Sequence, residues 1–505
     1  MARGTIATIV AQVVRIVAGV LMVPLVIGTL GLQGYGTWVI LMALYQQLGA
    51  PTTGFQWAYS KFTAELEQSG DLERLSGILA AGLITLSVPT ALVGAGLWFA
   101  SDSLLPLLGV PENLHAATAA ALALLSLAAL LRAAGGGALQ VLAGLQRTDL
   151  RYSIDVLDAV VYLIVAVVLL LAGWGLVALA TGILLGQALS LLAGVVACKR
   201  VYPAISLSPL RARADGFREI LGLGARFQVM VVLGQTATSG RAMAIGAVAG
   251  ADVVGLFGLA ERLIIMARTP ANSIVTPLLP AFASLTQAAD QVRRHRLRRL
   301  GSKLSVASVL PVLAFICLLA DPLLFAWTGQ HYPQAVIAVW VLSVTSLAIT
   351  ATAVPEAQLR AAGTLSLETR MLFAEAVLMV AGAVAGFAAG GFVGILVAVL
   401  CIRVGTRSWF LVRFDAEYDN GLLRDIAGVV ARSTVATLPA LIVLFFAGQQ
   451  IFADSIQHTR IEQLAWIGAL GVVFIALTTA ASAFTLFTAE ERYELVSLLR
   501  KGVDS

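Results

Sequence analysis

Charge is scarce in this sequence. Asp, Glu, Lys and Arg make up 12% of its 505 residues, about half the share found in soluble domains. A fold with most of its surface in water is excluded. Histidine occurs 4 times and cysteine 3 times, with no spacing that suggests a metal site or a disulfide framework. Cys198, Cys317 and Cys401 lie in or beside apolar stretches and read as small packing residues. There is no Gly-rich phosphate loop ending in Lys-Ser or Lys-Thr, and no large hydrophilic stretch. ATP hydrolysis by this chain is therefore not expected, and no cofactor or metal is expected either.

Apolar sequence takes up the rest. Hydrophobic residues are 59% of the chain and the mean hydropathy is +0.91. Ala, Leu, Val and Gly carry that mass, and small residues let membrane helices approach closely. A bilayer core takes roughly 20 apolar residues per helix. Runs of that kind lie at 5–30, 34–58, 75–100, 115–144, 153–172, 176–198, 219–247, 252–285, 303–326, 333–357, 371–389, 391–411, 426–449 and 463–487. The expected fold is an all-α polytopic membrane protein of about 14 helices. The first run is too long for a cleavable signal peptide.

Basic residues gather in alternate connections. One set holds Arg147 and Arg151, then Lys199–Arg218, Arg293–Lys303, Arg360 and Arg370, Arg403–Arg424, and Arg492–Lys501. The opposite set carries only Arg460. The positive-inside rule then puts both termini in the cytoplasm, as an even number of spans requires. The pI of about 9.3 follows from this topology, and no nucleic-acid partner is implied. The Arg293–Lys303 cluster reads as a helix end beside anionic lipid.

A weak repeat runs through the chain. Gly31 and Gly36 match Gly250 and Gly255 at an offset of 219 (250 − 31 and 255 − 36), and Pro51 matches Pro270 (270 − 51). Two six-helix lobes related by pseudo-two-fold symmetry are expected, with two extra helices at the C-terminus. The expected boundaries are 1–205, 206–415 and 416–505. Six is even, so both copies share one orientation, and a substrate cavity at their interface with alternating access is the expected design.

Charges inside spans are costly and tend to face a polar interior. Arg15, near Gln12, lies midway along the first span. Arg132 precedes Gly135-Gly136-Gly137. Arg226 and Arg241 share a span with Gln228, Gln235, Thr236, Thr238 and Ser239, and Glu261, Arg262 and Arg268 follow. Arg presents a planar fork suited to phosphate, so this cationic set points to an anionic substrate carrying hydroxyl groups. Gln12, Arg15, Arg241 and Arg262 are the candidate cavity residues. Arg241 could instead snorkel, and Arg262 could pair across helices. Lys61 and Arg268 read either as interfacial anchors or as contacts at the cavity mouth. Glu356 and Glu375 are candidates for ion coupling; for Glu375 the alternative is an ion pair with Arg370 or Arg403. Asp155 and Asp158 are expected to pair with Arg151. The Gly182/Gly186 and Gly382/Gly386/Gly390 spacings read as helix-packing faces. Pro24 and Pro51 flank the first hairpin and would kink its helices.

The segment Ile27–Leu66 resembles the first hairpin of bacterial polysaccharide-biosynthesis flippases, in the multidrug/oligosaccharidyl-lipid/polysaccharide (MOP) exporter superfamily. Leu30-Gly31, Tyr35-Gly36 and Trp38 carry the likeness. Ile245-Gly246, Gly250, Val254-Gly255, Phe257, Ala260, Arg262, Pro270 and Pro277 repeat it in the second half, and the tail Thr488–Arg500 is also similar. The resemblance implies a flippase that moves an undecaprenyl-diphosphate-linked glycan across the bacterial cytoplasmic membrane. Cavity cations would hold the diphosphate. The fourteen-span form is similar to the lipid II flippase branch, whose extra helices lie beside a groove for the prenyl tail. An H+ or Na+ gradient or the membrane potential would bias the cycle. Members often place an acid just before the Arg241 position; here it is Gly240. Membrane lipids and other polysaccharide-assembly proteins are the expected partners, and a monomer the expected state. The alternative is a multidrug (MATE-type) antiporter, which the mainly cationic deep charges disfavour. A membrane enzyme is disfavoured by the short outer connections, and a scaffold by the buried charges.

Overall fold

The computed structural model describes residues 2–69, 71–206, 208–285, 290–418, 421–452 and 460–486. All regular secondary structure among them is helical. This is what hydrocarbon demands, since a helix satisfies its own backbone donors and acceptors. In order the helices are α1 (Ala2–Ser69), α2 (Leu72–Phe99), α3 (Ser101–Leu107), α4 (His115–Gly144), α5 (Thr148–Leu171), α6 (Leu176–Val201) and α7 (Ala214–Gln235). A π-helical turn (Thr236–Gly240) leads into α8 (Arg241–Ala267). There follow α9 (Thr269–Ala283), α10 (Gln291–Leu318), α11 (Ala320–Thr328), α12 (Pro333–Ala362), α13 (Ser366–Tyr418), α14 (Leu422–Phe452) and α15 (Arg460–Thr485).

Among the described residues, eleven helical stretches are long and apolar enough to cross a membrane. Three of them hold two crossings each, because a glycine breaks the helix: Gly31 in α1, Gly250 in α8 and the Gly390-Gly391 pair in α13. Eleven plus three gives the fourteen crossings expected from the apolar runs. The chain turns sharply at the last of these breaks. A Cβ on Gly386 would lie 2.5 Å from the Gly394 carbonyl oxygen, so the two arms of α13 return side by side.

The internal repeat is written in the helix boundaries. α2 and α10 start 219 residues apart (291 − 72) and end 219 apart (318 − 99). α3 and α11 begin at the same offset (320 − 101). α4 and α12 match at 218 at both ends (333 − 115, 362 − 144). Gly31 and Gly250 share one backbone conformation (φ 70°, ψ 177° and φ 84°, ψ 170°). Only glycine adopts such positive φ without strain. The fold is thus two six-helix repeats followed by two further helices.

Two compact units are distinguished by their internal packing: Met1–Gly255 with Met379–Val384, and Leu256–Leu378 with Ala385–Ser505. In the first, α1 packs on α4, α5 and α7, and α4 and α5 pack on α6. Its core gathers Phe55, Tyr59, Ile78, Leu86, Val141 and Ile220. Gly182 and Gly186 lie against Tyr162, Ala166 and Asp158 of α5, where a Cβ would collide; the short glycine spacing is a packing face. In the second unit, α10 packs on α9, α12 and α14, and α15 packs on α11 and α14. Large apolar side chains stay exposed on the helix faces, among them Leu92, Ile164, Val168, Leu192, Phe446 and Val472. In water such a surface would be an aggregation hazard; in a bilayer it faces lipid.

Candidate functional site

Three of the residues singled out by sequence, Gln12, Arg15 and Lys61, lie on α1, but their side chains fall outside the described residues, as does that of Arg226. The remaining candidates are placed, and each unit has its own polar interior.

In the first unit, Arg241 follows the π turn and is 2% exposed. A side chain so enclosed does not snorkel to the membrane surface. In the same unit, the Arg132 guanidinium lies within electrostatic reach of Tyr45 and against Gly49, where a Cβ would be 3.2 Å from Nη1. Asp158 accepts two hydrogen bonds from Gln187, both 3.2 Å. Arg151 donates to Gln140 at 2.8 Å.

The glutamines of the seventh span face the second arm of α1. Gln235 Nε2 donates to Gln46 Oε1 (2.7 Å), Gln47 Nε2 to Thr236 Oγ1 (3.2 Å) and Gln228 Nε2 to the Ala50 carbonyl (3.0 Å). Gln46 and Gln47 carry no signal in the sequence, where they follow Tyr45 without a motif.

In the second unit the acidic candidates join a ladder of six charges. Arg403 Nε lies 2.8 Å from Glu375, and Arg407 Nη2 lies 3.0 Å from it. Arg407 Nη1 also pairs with Glu356 and donates to Thr352 Oγ1 at 2.9 Å. Arg360 joins Glu356 at 3.4 Å and Glu368 at 2.5 Å. Three guanidiniums face three carboxylates, so the set is neutral. Glu368 and Glu375 are fully buried, which buried charge tolerates only when paired. For Glu375 the arrangement matches the ion-pair alternative, through Arg403 and not Arg370, which is exposed. By sequence, Arg360, Arg403 and Arg407 belong with the cytoplasmic loop cations; in the structure they spend their charge inside the ladder instead. The spacing is a signal. Arg403 and Arg407, like Glu356 and Arg360, are four apart and share a helix face.

Arg268, half-buried at the start of α9, lies within electrostatic reach of Glu261, Glu356, Glu375 and Arg407 but is not a rung. Arg262 is also half-buried. Its Nε is enclosed and has no acceptor among the described residues. A guanidinium with a spare buried donor is poised for an anionic acceptor. Near α14 an apolar cavity of about 430 Å³ is lined by Leu318, Leu319, Pro322, Leu444, Phe445, Gly448 and Gln449. No group of three or more His, Cys, Asp or Glu among the described residues is arranged to hold a metal.

Comparison with known proteins agrees with this architecture. Residues 86–337 match the family model described as polysaccharide biosynthesis protein. The lipid II flippase MurJ in an inward closed conformation superposes with a TM-score of 0.73 at 12% identity, covering 96% of this chain and 98% of that one. An inward-facing multidrug resistance MATE family transporter of the MOP superfamily gives 0.67 at 16%, over 81% and 98%. A MOP superfamily transporter from Pyrococcus furiosus, described as having a binding pocket of reversed polarity, gives 0.59 at 17%, over 82% and 95%. Among curated proteins no relative matches by sequence.

Proposed function

We propose that this multi-pass membrane protein belongs to the MOP superfamily and is a flippase. Its substrate would be a glycan linked through a diphosphate to a polyprenyl lipid such as undecaprenol. It would carry the head group from the cytoplasmic to the outer leaflet of a bacterial inner membrane, for surface-polysaccharide or cell-wall assembly. The observation that carries this reading is the Arg262 guanidinium, on the second arm of α8, with an enclosed donor that has no acceptor among the described residues. A cation kept inside a membrane protein without an internal counter-ion is expensive. An anionic substrate supplies that counter-ion only while it is bound.

The family match supports polysaccharide export over drug export. A MATE-type antiporter has the same fold and handles organic cations, for which an arginine-lined site is unsuited. Gln12, Arg15, Lys61 and Arg241 are the donors and cations carried by the first unit, and Arg262 and Arg268 are cations carried by the second. The apolar cavity by α14 is of a kind that accepts part of a prenyl chain. No covalent step is invoked, and the protein acts by exposing its site to one side of the membrane and then the other. A gradient of H+ or Na+, or the membrane potential, drives the net direction. Glu356 and Glu375 take part in coupling only if an ion displaces a guanidinium from them. The protein works as a monomer with both termini cytoplasmic, beside other membrane proteins of polysaccharide assembly.

The test is flipping of a purified polyprenyl-diphosphate oligosaccharide in proteoliposomes, comparing wild type with Arg15→Ala and Arg262→Ala. Loss of flipping in variants that insert and melt normally supports the reading. Full activity in both variants contradicts it.

A further inference from the structure

Arg432 is a charge out of place. It lies on α14, six residues past Ile426 (432 − 426), where the apolar stretch of this crossing begins. That is about 9 Å further along the helix axis. Its flanks are Val429, Val430 and Ala431 on one side and, after Ser433 and Thr434, Val435 on the other. The residue is exposed and has no ion-pair or hydrogen-bond partner among the described residues. Arg403 and Arg407, by contrast, meet carboxylates inside the fold. A guanidinium turned to hydrocarbon without a counter-ion is expensive.

The face around it repeats every four residues. Arg424, Gly428 and Arg432 stand at i, i+4 and i+8, so they share one side of the helix. Arg424 is exposed and likewise without a partner among the described residues. The buried Ile426, Ser433, Thr437, Ala440 and Leu444 lie on the opposite side. A Cβ on Gly428 would meet nothing within 4 Å. Long side chains on a helix lean toward its N-terminus, which for Arg432 is the direction of Gly428 and Arg424. Two cations thus flank an open notch.

Acids at this end of α14 are already engaged. Asp425 pairs with Arg299 of α10 at 3.1 Å. Asp415 accepts from the backbone N–H groups of Gly421 and Leu422, at 2.9 and 2.6 Å. Arg424 sits in the first turn of α14, the end of a helix that favours anions and disfavours cations. Further along the same face, Val435, Ile442 and Phe446 are exposed and apolar. Charge at the helix end followed by an apolar stripe is the complement of a lipid with an anionic head group.

We propose that the notch holds the phosphate of an anionic phospholipid from the leaflet at the end of the crossing where α14 begins. Arg432 draws the phosphate inward, Arg424 holds it at the rim, and the acyl chains run along Val435, Ile442 and Phe446. Phospholipid fits the place because the notch is on the face of α14 turned away from its buried residues, and basic pockets on transmembrane helices are suited to such head groups. The proposal is independent of the substrate that the chain carries.

The test uses the full chain purified in detergent and titrated with phosphatidylglycerol or phosphatidylcholine, with bound lipid counted by native mass spectrometry. Wild type is expected to bind phosphatidylglycerol more tightly. Arg424→Gln and Arg432→Gln should each weaken that binding about fivefold and leave phosphatidylcholine unchanged. Gly428→Leu, which keeps both charges and suits a helix, should weaken it as well by filling the gap. Equal affinity of wild type for the two lipids overturns the site. So does undiminished phosphatidylglycerol binding in the double variant Arg424→Gln/Arg432→Gln, or in Gly428→Leu, where charge alone would then be acting. A polyprenyl diphosphate is titrated in the same way. If the variants lose it and keep phosphatidylglycerol, the notch belongs to the diphosphate lipid and the phospholipid assignment falls.

Discussion

Replacing Gly36 with alanine puts a methyl group where the backbone of residues 251–255 already lies. Besides overlapping the Ala251 carbonyl oxygen, the new Cβ would sit 2.7 Å from the Ala251 carbonyl carbon and 2.9 Å from the Gly255 nitrogen. Ordinary van der Waals separation starts near 3.4 Å, so the shortfalls are 0.7 Å (3.4 − 2.7) and 0.5 Å (3.4 − 2.9). All three atoms are backbone and no side-chain rotation relieves them. The helices must withdraw from each other, and a gap of this size forfeits about a quarter to a half of the dispersion well for each atom pair that separates. Overpacking of this kind costs about 1–3 kcal/mol. Gly28, in the same helix, has nothing within 4 Å of its Cβ position, so Gly28→Ala should gain about 0.5–1 kcal/mol from helix propensity. The two variants should therefore differ by about 1.5–4 kcal/mol in a reversible detergent-unfolding titration. Equal stability would refute the close approach of the two repeats at Gly36.

Other consequences follow from the same structure. Glu375→Gln removes the buried carboxylate that faces both Arg403 and Arg407 and should cost about 3–5 kcal/mol in the same titration; an unchanged midpoint would mean that the ladder is not formed. Gly391→Ala forces a side chain onto φ 57°, ψ −136° and should cost about 1–3 kcal/mol, whereas Gly405→Ala, with open space around its Cβ, should not destabilise. Arg262→Ala removes a group without a carboxylate partner among the described residues. It should leave stability within about 0.5 kcal/mol of wild type while flipping falls about tenfold or more, and equal loss of both would point to a packing role.

The crossings are legible in the sequence because hydrocarbon leaves little choice: an apolar run of sufficient length must be helical. The repeat is legible too, since its breaks require glycine, and Gly31 and Gly250 stand out against apolar neighbours. Helix boundaries then strengthen what a few glycine and proline matches only outline. The polar interior is harder to read. Glu375 and Arg403 are 28 residues apart (403 − 375), and an ion pair across two arms of a hairpin leaves no local pattern. Arg403 and Arg407 look like loop cations because their carboxylates lie elsewhere in the chain. Gln46 and Gln47 escape notice because an amide inside a span is not conspicuous until its partner on another helix is known.

The most direct test of the central claim is the transport assay on the wild-type chain itself. Reconstituted protein should move a polyprenyl-diphosphate oligosaccharide to the opposite leaflet, where an enzyme added outside the vesicles can reach it, and should leave organic cations undisturbed. Vesicles that never expose the lipid-linked sugar, yet exchange organic cations for protons or sodium, would contradict the account and favour the antiporter reading.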